Sequence, residues 1–184
     1  MDEGVRWLSQ DEQRVWRRLL DAISMLTEHI ERRTQQDAGM PASYYEVLVV
    51  LSEAPDHTLR MSELASRSRF SRSRLSHAVT KLEAKGWVLR TSCPTDKRGA
   101  LATLSDEGMT VLRAAAPHHV EAVREAVFDA LSEEQVRKLG EIAGTIADGL
   151  ADTCAAAEAE AAEGDEPGEQ AERAGDERGH SARR

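Results

Sequence analysis

Met61-Ser-Glu-Leu-Ala-Ser-Arg-Ser68 is followed by Arg69-Phe-Ser71, then by Arg72-Ser-Arg-Leu-Ser-His-Ala-Val-Thr-Lys-Leu-Glu-Ala-Lys85 and Gly86. The first segment predicts a short helix and the second a turn. From Ser71 to Lys85, apolar residues recur at three- and four-residue spacing, which predicts a second helix with one face in a core. Gly86 suits the left-handed conformation that often ends a helix. The predicted core-facing residues are Leu75, Ala78, Val79 and Leu82.

The opposite face of this second helix is polar and basic. A helix N-terminus projects unpaired N–H groups, and nearby hydroxyls and guanidiniums add donors suited to phosphate oxygens. Helix-turn-helix proteins place the start of such a helix in the major groove of DNA. The pattern therefore predicts DNA binding, with an ordinary solvated face as the alternative. The residues of this face are Arg72, Ser73, Ser76, His77 and Thr80.

A β-hairpin is predicted directly after the second helix. Residues 87–92 and 100–104 have strand character, and Leu59 supplies a short third strand. Residues 93–99 have turn composition, which places Lys97 and Arg98 at an exposed tip. The predicted fold class is mainly α with a small β-wing: a winged helix-turn-helix domain plus a helical domain, α+β overall.

Several short motifs in this region resemble the winged helix-turn-helix of the MarR family of bacterial regulators. They are Leu64-Ala65, Phe70-Ser71, Lys81-Leu-Glu-Ala-Lys-Gly-Trp-Val88, Asp96-Lys-Arg98 and Leu104-Ser-Asp-Glu-Gly108. The resemblance implies that Arg98 enters the minor groove, while Asp96 holds the arginine or the wing in place. It also implies a sequence-specific transcriptional regulator that commonly represses.

Thirteen residues are predicted to bind DNA. Base reading falls to the exposed face of the second helix, and phosphate contact to Arg60, Arg69 and Lys97. Arg74 and Arg60 depart from the family pattern, so phosphate contact and simple exposure both stay open for them. The full set is Arg60, Arg69, Ser71, Arg72, Ser73, Arg74, Ser76, His77, Thr80, Lys81, Asp96, Lys97 and Arg98.

Taken by itself, the net charge of −9 argues against nucleic-acid binding, but it is an average over the whole chain. Between Arg60 and Arg98, ten basic residues stand against three acidic ones, a net charge of +7. The remainder of the chain therefore carries −16. Positive charge clustered on one module, rather than the whole-chain balance, is the electrostatic mark of a DNA-binding protein.

Long helices with apolar stripes are predicted on both sides of this module. Ser9-x-x-Glu12 has capping-box spacing and opens a helix to Arg33, and Tyr44–Ala54 forms another. Ser105 caps a helix interrupted or kinked at Pro117, and Ser132 opens the last helix. By resemblance, residues 1–36 and 106–155 form a helical homodimerisation region around the winged domain at 44–105. Residues 156–184 are predicted to be a disordered acidic tail, with helix continuing at most to Glu163.

The resemblance also implies that a small, often aromatic or phenolic effector can enter a crevice between the dimerisation and DNA-binding regions and so cause release of DNA. Candidate lining residues are Trp16, His29, Tyr44 and Tyr45. Each of them also fits an ordinary core or interface position. The acidic tail is interpreted as a solubilising segment. The alternative is that its acidic residues compete with DNA for the basic face and weaken non-specific binding.

Other classes of protein are less well supported. The two cysteines, Cys93 and Cys154, form no CxxC pair. Cys93 is interpreted as a partly exposed loop thiol, and redox sensing through it stays a minor alternative. His118 and His119 are helical neighbours about 100° apart and cannot chelate one metal ion together. The sequence contains no nucleophile elbow, phosphate-binding glycine loop or HExxH motif. We therefore expect neither an enzyme nor a cofactor.

The sequence has no apolar run near the roughly 20 residues that span a bilayer, and its start lacks the apolar core of a signal peptide. These features predict a cytoplasmic protein without membrane partners. A winged-helix module that binds another protein instead of DNA stays the main alternative, because a fold does not fix a function.

Overall fold

The computed structural model describes residues 4–93 and 96–163, with only the backbone described at 96–98, 152 and 154–163. It divides into two compact units, residues 1–132 and 133–184. Two short 3₁₀ turns, Pro55–His57 and Phe128–Ala130, accompany the main elements. These are α1 (Gln10–Ala38), α2 (Ala42–Ser52), β1 (Thr58–Arg60), α3 (Met61–Arg67), α4 (Arg72–Ala84), β2 (Val88–Cys93), β3 (Asp96–Leu104), α5 (Asp106–Ala126) and α6 (Glu133–Glu163).

Helix α1 begins at the predicted capping box. Ser9 Oγ accepts from the Glu12 N–H at 3.2 Å, and the Ser9 N–H donates to Glu12 Oε2 at 2.7 Å. Hydrogen bonding to the carboxyl by the Ser9 backbone N–H, and to a lesser degree by the Ser9 side chain, lowers the pKa of Glu12. The prediction that this helix ends at Arg33 was wrong, because Arg33 pairs with Asp37 at 2.8 Å and with Glu125 of α5 at 2.5 Å. The helix ends instead before Gly39, which has a φ of +65°.

The core of the first unit forms between α2, α3, α4, the sheet and the start of α5. The predicted core face of α4 is confirmed, since its four apolar residues are all buried. Helix α2 also buries Val47 completely, a residue that the sequence did not assign to the core. Val47 was missed because α2 is covered on more than one side, so its apolar residues follow no single stripe.

The three strands form an antiparallel sheet in the order β1-β3-β2. Leu59 pairs with Ala102, which confirms the predicted third strand. The prediction of a loop over 93–99 was wrong: β2 reaches Cys93 and β3 begins at Asp96, so Lys97 and Arg98 lie in a strand. Backbone pairing holds such a ribbon together, and it therefore tolerates polar and turn-forming residues. Cys93 is buried rather than partly exposed.

Helix α5 begins at the predicted cap, because Ser105 Oγ accepts from the Gly108 N–H at 2.9 Å. A kink or a break was predicted at Pro117, and no break occurs there, because α5 runs through this residue. Proline removes one N–H, and the carbonyl left without a helical partner belongs to Arg113, which is exposed to water. The helix ends at Ala126, five residues before the predicted end at Leu131.

Helix α6, which forms the described part of the second unit, carries an exposed apolar face. It reaches Glu163, the limit that the sequence allowed for helix, and the rest of the predicted acidic tail lies outside the described residues. Within residues 4–93 and 96–163, no helix combines the length and hydropathy needed to cross a membrane. The apolar face of α6 consists of Leu139, Ile142, Ile146 and Leu150.

Candidate nucleic-acid interface

The turn between α3 and α4 is closed by hydrogen bonds typical of a helix C-terminus. The Arg69 N–H donates to the Ser66 carbonyl at 3.1 Å, and the Phe70 N–H to the Ala65 carbonyl at 3.0 Å. This Schellman pattern places the residue after the C-cap in the left-handed region, where glycine is usual. Here Arg69 takes that position with a φ of +52°. The backbone therefore turns sharply and directs α4 away from α3.

Ser71 forms the N-cap of α4, since its Oγ accepts from the Arg74 N–H at 3.3 Å. The hydroxyl also lies 3.2 Å from Ser73 Oγ. Ser71 was predicted to bind DNA, and the structure gives its hydroxyl a local structural role as well. Other N–H groups of the first turn keep no partner within the helix, which leaves donors at this end of α4.

The two faces of α4 divide as the sequence predicted. Arg72, Ser73, His77 and Thr80 are exposed, and Ser76 is half-buried beside them. Thr80 Oγ1 donates to the Ser76 carbonyl at 2.8 Å, so its hydroxyl proton is already used within the helix. Ser73 Oγ shares its hydrogen bond with Ser71, whereas the side chains of Arg72, Ser76 and His77 form no hydrogen bond within the described residues and keep that capacity for a ligand.

A pocket of about 360 Å³ lies between the start of α4 and the base of the wing. Three arginines line this wing-base pocket: Arg60 from β1, Arg72 from α4 and Arg90 from β2. In the described part of the chain, neither Arg72 nor Arg90 forms an ion pair. The other lining residues are Met61, Ser62, Leu75, Ser76, Gly99 and Ala100.

Arg90 was not among the predicted site residues. The sequence places Arg90 on the strand that follows the second helix, among the basic residues of this module. A position in a strand does not show which face of the wing lies next to α4, so Arg90 could not be assigned to the site. The sheet register pairs Arg90 with Ala102 and sets it beside Ala100 at the mouth of the pocket. Three cations around one open cavity repel one another, and a bound oxyanion would relieve that repulsion.

The other basic residues differ in what surrounds them. Arg67 pairs with Glu63 at 2.7 Å, and the Lys85 ammonium lies 4.7 Å from the centre of the Trp87 ring. The Arg74 guanidinium lies 4.2 Å from the centre of the Phe70 ring, at the turn before α4. Lys81 and Arg69 are exposed. Asp96, Lys97 and Arg98 lie at the start of β3, but their side chains are outside the described residues.

The four candidate effector residues do not share one location. Trp16 and His29 lie 13 residues apart on α1, a separation of about 20 Å at 1.5 Å per residue. Tyr44 is half-buried against the core, and Tyr45 is buried and stacks on His119 of α5 with ring centres 4.3 Å apart. Burial raises the pKa of Tyr45 and lowers that of His119.

Two ring nitrogens, His29 Nε2 and His119 Nδ1, are buried and have no hydrogen-bond partner among the described residues. His118 instead lines a separate cavity with Asp37 and Met40. Among the described residues, no group of three or more His, Cys, Asp or Glu side chains is arranged to hold a metal ion.

Comparison with solved structures gives close matches to this fold. Sco3205 of Streptomyces coelicolor, a MarR family transcriptional regulator solved in complex with DNA, is 55% identical. The match covers 79% of this chain and 92% of that protein, with a TM-score of 0.75. AbsC of the same organism, also a MarR family transcriptional regulator, is 38% identical over 80% of this chain and 99% of its own, with a TM-score of 0.73.

Sequence comparison agrees. The transcriptional repressor YetL of Bacillus subtilis is 28% identical over 123 residues, which are 65% of this chain and 74% of YetL. A model of the MarR family matches residues 38–99. These relatives are regulators of transcription, in agreement with the prediction that the chain is a regulator and not an enzyme. The chain belongs to the MarR family of transcriptional regulators.

Proposed function

We propose that this chain represses transcription by binding double-stranded DNA as a homodimer on a near-palindromic operator. The observation that carries the proposal is the wing-base pocket next to the exposed face of α4, where Arg72 and Arg90 form no ion pair with any described residue. The DNA complex of Sco3205, at 55% identity, supports DNA as the ligand. YetL, a named repressor, supports repression. Binding of chromosomal DNA would place the protein in the cytoplasm.

In this proposal α4 enters the major groove, and Arg72, Ser73, Ser76 and His77 meet base edges there. Phosphates would be held by Arg60 and Arg90 of the wing-base pocket, by Arg69 and Lys97, and by the N–H groups at the start of α4. Arg98 would enter the minor groove, with Asp96 supporting it. Because a homodimer presents two copies of α4, the two half-sites would lie about one DNA turn, roughly 34 Å, apart.

The homodimer is supported by apolar surface that the single chain leaves in water. Trp7 is 72% exposed and Met25 71%, although large apolar side chains usually become buried. A partner subunit that covers such surface would gain about 25 cal/mol for each Å² removed from water. The exposed apolar residues that precede α1 or lie in its first two-thirds are Val5, Trp7, Leu8, Val15, Trp16, Leu19, Leu20, Ile23, Met25 and Leu26.

A small effector that releases DNA belongs to the same proposal. The unpartnered His29 Nε2 and His119 Nδ1, together with the Tyr45 ring, offer polar and aromatic contacts of the kind that small-molecule sites use. Tyr44 lies next to Tyr45 on α2. Trp16 lies too far along α1 to join His29 within one subunit and would contribute only at a subunit interface.

The decisive experiment is binding of the purified protein to the DNA upstream of its own gene, with a random duplex as competitor, across a salt series. We expect tight, competitor-resistant binding whose logarithmic affinity falls steeply with the logarithm of salt concentration. Equal, weak binding to both duplexes after removal of bound small molecules would contradict the proposal. It would favour a module that binds another protein, although Arg72 and Arg90, which pair with no acidic side chain in the described part of the chain, argue for DNA.

Replacing Arg98 with alanine is expected to weaken operator binding about 10- to 100-fold, because a groove contact to bases is worth roughly 1–3 kcal/mol. Dimerisation and the melting temperature should not change, since the substitution lies on the wing. Fluorescence anisotropy with labelled operator and a melting curve would measure both effects. Normal operator binding by the variant would show that the assignment of Arg98 is incorrect.

Replacing Arg90 with alanine is expected to weaken binding to operator and random duplex alike, by about fivefold, and to reduce the salt slope by about one. A phosphate contact carries no sequence information, so the ratio of the two affinities should stay the same. Arg113→Ala removes an equal charge from the exposed surface of α5 and serves as the control. An unchanged slope in Arg90→Ala would exclude Arg90 from the phosphate contacts.

A further inference from the structure

Arg74 lies in the first turn of α4. Its side chain contacts Phe70, in the turn that joins α3 to α4, and does not belong to the exposed polar face of α4. Its guanidinium carbon is 4.2 Å from the centre of the Phe70 ring. A guanidinium over an aromatic face is held by the ring quadrupole and by stacking of two planar groups. The sequence placed Arg74 among the DNA-binding residues with its role open, and this contact provides a different role.

Phe70 is itself fixed in place. Its N–H closes the Schellman pattern with the Ala65 carbonyl, and its half-buried ring packs against the core. The next residue, Ser71, is the N-cap of α4 and bonds to the Arg74 N–H. The Arg74 side chain therefore bridges from the first turn of α4 back to a ring that is anchored on α3 and the core.

A carboxylate on α2 faces the same cluster. Glu46 is exposed on α2, where surrounding protein raises the pKa of its carboxyl while Arg74, and to a lesser degree Arg69, act to lower it. Both arginines thus lie close enough to interact with Glu46 electrostatically. Three elements, α2, the turn and α4, meet around one guanidinium.

We propose that Arg74 is a positioning residue, which sets the direction of the first turn of α4 through its stack on Phe70 and makes no DNA contact of its own. This inference rests on the proposed DNA binding. Arg72 and Ser73 lie on that same turn, so a small rotation of it would move both away from base edges. Phosphate contacts from β1 and the wing lie on other elements and would change little. Arg74 therefore contributes to specific affinity more than to non-specific affinity.

The test is a double-mutant cycle of Arg74→Ala and Phe70→Leu, read out on operator and random duplex across a salt series. Leucine keeps an apolar side chain on the core but removes the ring. We expect Arg74→Ala to weaken operator binding about tenfold and random-duplex binding less than about threefold, with the salt slope unchanged. Phe70→Leu should behave similarly, and the double variant should be no weaker than the weaker single variant. Arg74→Lys, which keeps a cation over the ring, should recover most of the loss.

Arg72→Ala is the matched control, because it removes the same charge from the same turn on the other face. It should weaken operator binding, relax the preference for operator over random duplex, and show no coupling to Phe70→Leu, as expected for a side chain that reads bases directly. If Arg74→Ala lowers the salt slope by about one, and its effect adds to that of Phe70→Leu, then Arg74 contacts DNA and the proposal is overturned. Unchanged operator affinity in Arg74→Ala overturns it as well.

Melting curves of all variants separate positioning from loss of fold. A positioning role predicts that Arg74→Ala retains the wild-type melting temperature to within a few degrees while its operator preference falls. If the wild-type protein prefers no operator at all, the proposed function has failed. In that case the melting temperatures of the free wild-type, single-variant and double-variant proteins test the contact between Arg74 and Phe70. Non-additive effects of the two substitutions on stability support the stack, and strictly additive effects refute it.

Discussion

Replacing Gly108 with alanine is expected to lower the free energy of unfolding by about 3 kcal/mol and the melting temperature by roughly 10 °C. Gly108 lies in the first turn of α5 and is buried. A Cβ at this position would meet the Trp87 carbonyl oxygen at 2.1 Å and Leu104 Cδ1 at 2.8 Å. Leu104 can change rotamer, but the carbonyl belongs to the backbone and cannot move without moving the base of the wing.

The backbone around Gly108 has little freedom to yield. The Ser105 N–H donates to the Trp87 carbonyl at 3.0 Å, and Ser105 Oγ donates to the Gly86 carbonyl at 2.7 Å. That same Oγ accepts from the Gly108 N–H. Relief of the clash would therefore break bonds that join α5 to the C-terminal end of α4. Thermal or urea unfolding monitored by circular dichroism would measure the loss.

Gly140 offers a matched control, since it lies within α6 with nothing within 4 Å of its added Cβ. There the same substitution should stabilise the helix by up to about 1 kcal/mol, because alanine has the higher helix propensity. If Gly108→Ala unfolds at the wild-type temperature, the close approach between α5 and Trp87 is not present in solution.

The parts of the fold that were predictable from sequence are those in which local chemistry decides. The apolar spacing of α4, the caps at Ser9 and Ser105 and the left-handed Gly86 each depend on residues within one helix turn. Arg69 was harder, because a left-handed arginine contradicts local preference and is held there by the hydrogen bonds that close α3.

The candidate site shows the same division. Arg72 and Ser73 were predictable as exposed residues from helix period alone. Arg90 was not, because it joins Arg72 only through the register of β2 on β3 and the packing of the wing beside α4. The stack of Arg74 on Phe70 depends on the geometry of the turn, and the extension of α1 to Ala38 depends partly on Glu125, far along the chain.

Replacing Ile142 with glutamate is expected to raise the dissociation constant of the proposed homodimer about 1,000-fold. Ile142 is 59% exposed on the apolar face of α6, in line with Leu139, Ile146 and Leu150. In a symmetric dimer the substitution occurs in both subunits, so two carboxylates would be buried where two apolar side chains had packed. At several kcal/mol for each buried unpaired charge, the total exceeds about 4 kcal/mol, which corresponds to roughly three powers of ten.

Sedimentation velocity over a range of protein concentrations would measure the shift from dimer to monomer. Ala151→Glu is the control, since nine residues at about 100° each place it on the opposite side of α6 from Ile142. It adds the same charge to the same helix, and the dimer should persist. If both variants dissociate the dimer, general charge repulsion in an already acidic chain is the cause. If neither variant dissociates it, the dimer interface lies elsewhere.

Operator binding by the Ile142→Glu variant tests whether the proposed DNA binding depends on the proposed homodimer. A dimer binds two half-sites for a single loss of translational and rotational freedom, whereas two monomers lose that freedom twice. Operator affinity should therefore fall steeply while weak binding to a random duplex persists, because each wing-base pocket with its arginines stays intact. Full operator affinity in a protein shown to be monomeric would mean that one α4 and one wing suffice, and the near-palindromic operator would have to be abandoned.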